Sequence, residues 1–243
     1  PGCRICRQGA GLVLFVTGRC DRSCFYCPLS EERKGSDQVF ADEMPVKEIA
    51  DILREASAID ALGTGITGGE PLLKLDYVLE CIRALKQSRG ESHHIHLYTG
   101  LLPGRDVLEK LVQAGLDEIR FHPPLARWSE PAGLKEALQQ AKSLGLLAGV
   151  EIPSIQPAPE IVEAVRDADA FLNVNELEFS ETNYVGLAAA GFVPVELGCA
   201  AEGSKEIARE HFLKDDIRAH FCPSCFKDAV QLRERLLRRA NRT

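Results

Sequence analysis

The sequence predicts an α/β fold, a six-stranded parallel partial barrel with a small cysteine-rich extension formed by the two ends of the chain. Two observations carry this prediction. Short β-like runs alternate with amphipathic helical patterns through the middle of the chain, and Gly or Pro marks most of the junctions. Such repeats make parallel strands with right-handed crossovers, and six strands are too few to close an eight-stranded barrel.

The predicted elements follow one another in a regular order. The strands are Leu12–Thr17, Ala61–Thr67, His94–Thr99, Glu118–His122, Leu147–Pro153 and Phe171–Ser180. The helices between them are Val46–Ala58, Tyr77–Gln87, Arg105–Ala114, Gly133–Leu144 and Glu160–Asp167. In sheets of this type the chemistry lies beyond the carboxyl ends of the strands.

Three segments are predicted from this rhythm. Residues 1–10 form an extension with a Cys-x-x-Cys pair, and residues 11–182 form the partial barrel. Residues 183–243 form a second extension with another Cys-x-x-Cys pair and a basic helix.

The composition excludes some classes of protein. Apolar residues make up 45% of the chain and charged residues 27%, as in ordinary soluble proteins. No apolar run is long enough for a membrane span, and no signal peptide is visible. The net charge of −7 argues against a broadly basic nucleic-acid surface, although the arginine-rich stretch at 233–242 leaves nucleic acid open as a partner. Nine cysteines in close groups indicate metal ligation by thiolates in a reducing, cytoplasmic setting.

One cysteine group directly follows the first predicted strand. Cys20, Cys24 and Cys27 lie on a single short loop. Three thiolates can hold three irons of a [4Fe–4S] cluster and leave the fourth iron open to a small molecule. The alternative is a structural zinc site whose fourth ligand lies elsewhere.

A second motif, from Thr67 to Pro71, ends the next strand. Gly68 and Gly69 allow a close approach to the backbone, and the Glu70 carboxylate suits an ammonium group. Alone, a Gly-Gly-Glu sequence is more often a tight strand-to-helix turn. Beside the cysteine loop, it indicates a site for an amine next to an open iron.

With these two motifs, the chain resembles the radical S-adenosylmethionine (SAM) superfamily, in particular archaeal-type proteins related to pyruvate formate-lyase activating enzyme. The resemblance covers roughly residues 12–180. It implies that Cys20, Cys24 and Cys27 hold the cluster, that the amine and carboxylate of SAM chelate the open iron, and that Gly68, Gly69 and Glu70 receive the amine. Reductive cleavage of SAM would then give a 5′-deoxyadenosyl radical that abstracts hydrogen from a substrate. An external electron donor of the flavodoxin or ferredoxin type is implied as a partner.

Other cofactor contacts are implied less directly by the resemblance. They are Tyr26 near the adenine, Thr99, Glu151 and Ile152 at the ribose and adenine, and Arg120 at the methionyl carboxylate. The third strand ends Tyr-Thr-Gly where relatives often have Thr-Asn-Gly, and the fifth-strand motif lacks its second glycine. A structural salt bridge is an equal alternative for Arg120.

The two outlying cysteine pairs are predicted to share one metal. Cys3, Cys6, Cys222 and Cys225 would form a four-cysteine site for zinc or, alternatively, an auxiliary iron–sulfur cluster. Disulfides or free thiols are a further alternative. His220 is a fallback ligand for this site.

The sixth predicted strand is unusually polar for a strand covered on both faces. We therefore predict that Glu178 and Asn183 are catalytic residues that orient the substrate, with a frayed edge strand as the alternative. The substrate is left open among a glycyl-radical protein, an RNA or nucleotide, and a small metabolite or lipid. The alternative to an enzyme is an iron–sulfur electron carrier or metal-binding module, which would not need the Gly-Gly-Glu turn.

Overall fold

The computed structural model describes residues 1–242, except for the side chains of Ala132 and Asp228. Its strands form one sheet in the order β3-β2-β1-β4-β5-β6-β7-β8-β9. The strands are β1 Gly11–Phe15, β2 Val39–Ala41, β3 Met44–Val46, β4 Gly63–Thr67, β5 His94–Thr99, β6 Glu118–Phe121, β7 Leu147–Pro153, β8 Phe171–Asn175 and β9 Arg218–Cys222.

Helices connect the strands. They are α1 Gly2–Arg7, α2 Ile49–Ala58, α3 Leu75–Arg89, α4 Arg105–Ala114, α5 Ala132–Ser143, α6 Pro159–Asp167, α7 Tyr184–Ala189, α8 Ser204–Ile207, α9 Ser224–Phe226 and α10 Arg233–Ala240. Short 3₁₀ turns occur at Pro71–Lys74 and Leu125–Arg127, and π turns at Ala208–Phe212 and Lys227–Leu232. Among the described residues, no helix has the length and apolar character that a bilayer crossing requires.

The helix boundaries follow local capping rules. Before α2, the backbone amide of Glu48 donates to the Asp51 carboxylate in a capping box. Helix α4 ends at Gly115, whose φ of 106° is the left-handed conformation that favours glycine. Helix α6 begins with Pro159, whose fixed φ suits a first helical position.

The predicted partial barrel is confirmed, and all six predicted strands are present. They pair in parallel in the order β1, β4, β5, β6, β7 and β8. Strand β9 adds a seventh parallel strand, and β2 and β3 add an antiparallel hairpin at the other edge. Helices α2 to α6 cover the outer face, where the apolar core lies.

Several predicted bounds differ slightly from those observed, and one differs widely. Strand β8 ends at Asn175, not at Ser180. The amide of Glu176 donates to the carbonyl of Cys222 at the end of β9, and Glu178 forms only an isolated bridge to Ala200. The polar residues after Asn175 therefore belong to a connection that crosses the top of the sheet.

The inner face of the sheet is polar. In β5, Ile95 and Leu97 are fully buried in the apolar core, whereas His96 and Tyr98 point into the barrel. Parallel strands covered on both faces normally read as continuous apolar runs. The polar side chains on the inner face therefore indicate that the functional site lies in the barrel interior.

The two extensions meet at the open side of the barrel. Helix α1 lies inside the barrel, so close to the sheet that a side chain at Gly2 would overlap the guanidinium of Arg120. The residues around α10 pack onto Gly9, where a Cβ would overlap the backbone of Arg235. This arrangement is the predicted cysteine-rich extension, assembled from segments more than 200 residues apart.

The arginines of the basic helix are paired with carboxylates. Arg235 binds Asp42, and Arg239 binds Glu55. Arg238 donates to the carbonyl of Ile59 at 2.9 Å and pairs with Asp60. These contacts fasten α10 to α2 and the β2–β3 hairpin. Because carboxylates of the same chain neutralise this face, it no longer favours a nucleic-acid partner.

Candidate active site at the carboxyl end of the sheet

The two sequence motifs line one cavity of about 950 Å³ that extends through the barrel interior to the carboxyl ends of β1, β4 and β5. Its wall includes Cys20, Cys24 and Cys27 together with Gly68, Gly69 and Glu70. The structure therefore brings together the residues predicted to hold a cluster and those predicted to receive an amine.

The cysteine loop rests directly on the Gly-Gly-Glu turn. The amide of Gly69 donates to the carbonyl of Thr17 at 2.6 Å, and that of Glu70 to Arg19 at 2.8 Å. A Cβ at Gly68 would lie 2.5 Å from the Thr17 carbonyl, and one at Gly69 would overlap the Arg19 carbonyl. The glycines are thus needed for two backbones to meet, a reason that differs from the predicted approach of a ligand.

The Glu70 carboxylate also binds the end of strand β5. It is 4% exposed and accepts hydrogen bonds from the hydroxyl of Thr99 and the amide of Gly100, both at 2.8 Å, and from the amide of Leu72. A carboxylate can accept about four hydrogen bonds. One acceptor position therefore remains on a group that borders the cavity.

The donor set of the loop fits an iron–sulfur cluster. A turn in which the Cys27 amide donates to the Cys24 carbonyl at 3.1 Å brings the second and third cysteines together. Burial raises the pKa of the Cys20 thiol. Within the described part of the chain, no three His, Cys, Asp or Glu side chains stand in a ready-made metal site. Thiolates are the ligands that such clusters take, so the three cysteines of this loop would hold the cluster.

A hydrogen-bonded pair lies beside this loop. The His122 ring bonds through Nδ1 to the carbonyl of Glu151 at 2.8 Å, so Nδ1 carries the proton. Nε2 then accepts from the hydroxyl of Tyr26 at 3.1 Å. Burial lowers the pKa of His122, which favours this neutral form. Tyr26, predicted to lie near the adenine, borders the cavity, and His122 is a site residue that the sequence analysis missed.

A second missed residue is Arg22, between the first two cysteines. Its guanidinium donates to the carbonyl of Gly100 and, at 3.2 Å, to that of His122. The cysteine loop is thereby tied to the ends of β5 and β6. No sequence signal points to these contacts, because the partners lie 78 and 100 residues away.

Arg120 does not face the large cavity. It is 3% exposed and donates to Glu118 at 2.6 Å and to Tyr98 and Glu151 at 2.8 Å. It borders a smaller cavity of about 330 Å³ instead. The salt-bridge alternative is the arrangement observed, and the predicted contact to the methionyl carboxylate has no support from this position.

The other predicted cofactor contacts differ from one another. Thr99 borders the large cavity with its hydroxyl committed to Glu70. Glu151 borders both cavities and accepts from Asn173 and Asn175 as well as Arg120. The side chain of Ile152 is fully buried in the apolar core, away from either cavity wall.

The two predicted catalytic residues lie in different environments. Glu178 borders the large cavity and pairs with Lys227 at 2.8 Å. Asn183 is 2% exposed and donates to the carbonyls of Tyr26 at 3.1 Å and Glu178 at 2.9 Å. Because both amide protons are used, Asn183 clamps the cysteine loop and is not placed to orient a substrate.

The terminal cysteines gather at the smaller cavity. Cys3, Cys6 and Cys222 line it, while Cys225 is exposed and His220 also contributes to the wall. Burial and the neighbouring Cys222 raise the pKa of Cys6 to about 11, and burial raises that of Cys222 to about 11. None of the nine cysteines is in a disulfide. Cys6 lies on the wall of both cavities.

Comparison with known proteins shows similarity in both sequence and fold. The pattern of the Radical SAM superfamily matches residues 14–125. A Methanocaldococcus jannaschii protein, provisionally named a glycyl-radical enzyme activating enzyme, is 39% identical, and the match covers 98% of this chain and 67% of that protein. The chain belongs to the radical SAM superfamily. It is therefore an enzyme of that class, with a [4Fe–4S] cluster and SAM as its cofactors.

Two further similarities are more distant. A probable GTP 3′,8-cyclase of the same organism is 26% identical over 70% of this chain and 59% of its own length. The crystal structure of Streptococcus suis SuiB bound to SAM superposes with a TM-score of 0.59 at 14% identity, covering 88% of this chain and 50% of SuiB. The latter similarity concerns the fold. The chain thus spans half to two thirds of the length of these three proteins.

Proposed function

We propose that Cys20, Cys24 and Cys27 bind the [4Fe–4S] cluster and that this site cleaves SAM reductively to abstract hydrogen from a glycyl residue of a partner protein. One observation carries the proposal: the three cysteines and the Gly-Gly-Glu turn line one cavity at the carboxyl end of the sheet. An electron carrier would need the cysteines but not the turn.

Each part of the wall has a task in this proposal. When bound, the cluster and SAM supply the electron transfer and C–S cleavage that generate a 5′-deoxyadenosyl radical. The 68–70 turn receives the methionyl amine, through backbone carbonyls and the remaining acceptor position of Glu70. Tyr26, Thr99 and the backbone around Glu151 border the adenosyl moiety.

A protein substrate is favoured by the name of the M. jannaschii relative. The ion pair of Glu178 and Lys227 lies on the same wall as the cysteines and is the proposed contact for the reacting segment. A flavodoxin- or ferredoxin-like protein is the proposed electron donor. A small metabolite is the second candidate, and Lys227 and Gln231 of the turn at Lys227–Leu232, which line the cavity, would contact it.

We also propose that the terminal cysteines bind a second metal, either zinc or an iron–sulfur cluster. The support is the grouping of Cys3, Cys6 and Cys222 around one buried cavity. Cys225, on the short helix that follows Cys222, is the proposed fourth ligand of the set.

The test of SAM cleavage uses anaerobically reconstituted protein, dithionite and SAM, with 5′-deoxyadenosine measured by chromatography. We expect Cys24→Ala to form none. Cys81→Ala, which alters a buried thiol on α3 away from the cavity, is the matched control and should form deoxyadenosine normally. Product formation by Cys24→Ala would refute the proposed ligand set.

The substrate is tested separately. The reduced enzyme with SAM is mixed with a glycyl-radical protein from the same organism, and electron paramagnetic resonance is recorded. We expect the doublet of a glycyl radical, lost with Glu178→Gln while slow uncoupled SAM cleavage continues. Abundant deoxyadenosine without any protein radical would favour the small-metabolite class.

A further inference from the structure

We propose that Arg22, within the cysteine loop, binds the carboxylate of SAM and completes the receptor for its amino-acid head group. This inference rests on the proposed SAM site and assigns to Arg22 the task that the sequence analysis gave to Arg120.

The head group of SAM is a zwitterion, with an ammonium and a carboxylate on the same carbon. Its receptor therefore needs an anionic and a cationic group next to each other. Glu70 accepts from the amide of Gly100 at 2.8 Å, and Arg22 donates to the carbonyl of the same residue. The two opposite charges thus bond to the amide and the carbonyl of the same residue, and both side chains border the cavity.

The Arg22 guanidinium has N–H donors that its two hydrogen bonds do not use. Arginine carries five N–H groups, and the carbonyls of Gly100 and His122 each receive one hydrogen bond. These two contacts hold the planar group in place while other donors remain for a carboxylate. A guanidinium held in advance suits a carboxylate better than a flexible ammonium does.

Other cations near the cavity are less suited. Arg120 is committed to Glu118 and Glu151 and borders the smaller cavity. Lys227 pairs with Glu178, and Lys34 is exposed to solvent.

Gly100 is the residue that permits this geometry. A Cβ at this position would overlap the guanidinium of Arg22. Gly100→Ala should therefore displace the guanidinium while leaving its charge in the protein, which separates the position of the charge from its presence.

The experiment compares two ligands of the reconstituted, oxidised enzyme by calorimetry. One is SAM, and the other is decarboxylated SAM, which keeps the amine and the sulfonium. We expect the wild type to prefer SAM by about tenfold to a hundredfold, the factor of a charge-assisted contact. Arg22→Gln and Gly100→Ala should lower the preference by about tenfold or more by weakening only SAM, and leave the share that comes from chelation of the open iron. Arg22→Lys should restore part of the lost preference.

Arg19→Gln is the matched control, because Arg19 lies in the same loop but pairs with Asp37 and is 60% exposed. It should keep the wild-type preference. If Arg22→Gln keeps a preference of the wild-type size, or weakens both ligands equally, Arg22 only holds the loop and the inference is wrong. If the wild type binds neither ligand, the proposed SAM site itself fails, which is a different result.

Discussion

The molecule has two groups of cysteines that are built in opposite ways. Cys20, Cys24 and Cys27 lie within eight consecutive residues on one loop, supported by backbone contacts with the neighbouring turn. The second group joins Cys3 and Cys6 inside the barrel to cysteines more than 200 residues later. The first group depends on the local conformation of its loop, whereas the second depends on the folding of the whole barrel.

This difference predicts which structural changes would disrupt each cysteine group. The first group is sensitive to changes at the junction of the loop and the Gly-Gly-Glu turn. The second is sensitive to the ion pairs that fasten α10 across the open side of the barrel, because α1 lies beneath that segment.

The largest effect expected is that each cysteine group loses its metal centre without affecting the other. Cys24→Ala should remove the catalytic cluster and leave the second metal bound, while Cys222→Ala should release the second metal and keep the catalytic cluster. Elemental analysis of iron and zinc, with sulfide determination, measures both. Loss of both centres in either variant would contradict the view that they are separate sites.

An intermediate effect is expected from Gly69→Ala. Its Cβ overlaps the Arg19 carbonyl, so overpacking should cost about 1–3 kcal/mol and lower occupancy of the catalytic cluster. Denaturant unfolding and iron content measure the change. Gly133→Ala is the control, because its Cβ meets only Leu102 at 3.4 Å in a helix and should be neutral or slightly stabilising. Full iron occupancy in Gly69→Ala would show that the turn does not support the loop.

The smallest effect is expected from the double change Arg235→Gln and Arg239→Gln. Each partly exposed ion pair contributes up to about 1 kcal/mol. The second metal should dissociate faster and the catalytic cluster remain. Arg233→Gln is the control, since Arg233 pairs with the adjacent Glu234. The difference from wild type should shrink in 1 M salt, where charges are screened within about 3 Å. A difference that does not depend on salt would argue against an ionic fastening of α10.

Local patterns in the sequence determined the barrel and its first site. Helical periodicity, strand runs and glycine punctuation act over a few residues, so α4 was predicted with its observed bounds, Arg105–Ala114. The cysteine loop and the Gly-Gly-Glu turn were readable for the same reason. Parallel strands then bring their carboxyl ends to one edge without further information.

Only the tertiary structure decided the partners of charged and polar side chains. Arg120 and Arg22 have the same chemistry, yet one is enclosed by Glu118 and Glu151 and the other borders the cavity. Asn183 clamps a loop 157 residues earlier in the chain. Strand β9, which is half-buried and mixes polar with apolar residues, is defined by its pairing with β8 more than by its own pattern. Contacts of this kind depend on which segments the folded barrel brings together, and no local pattern records that.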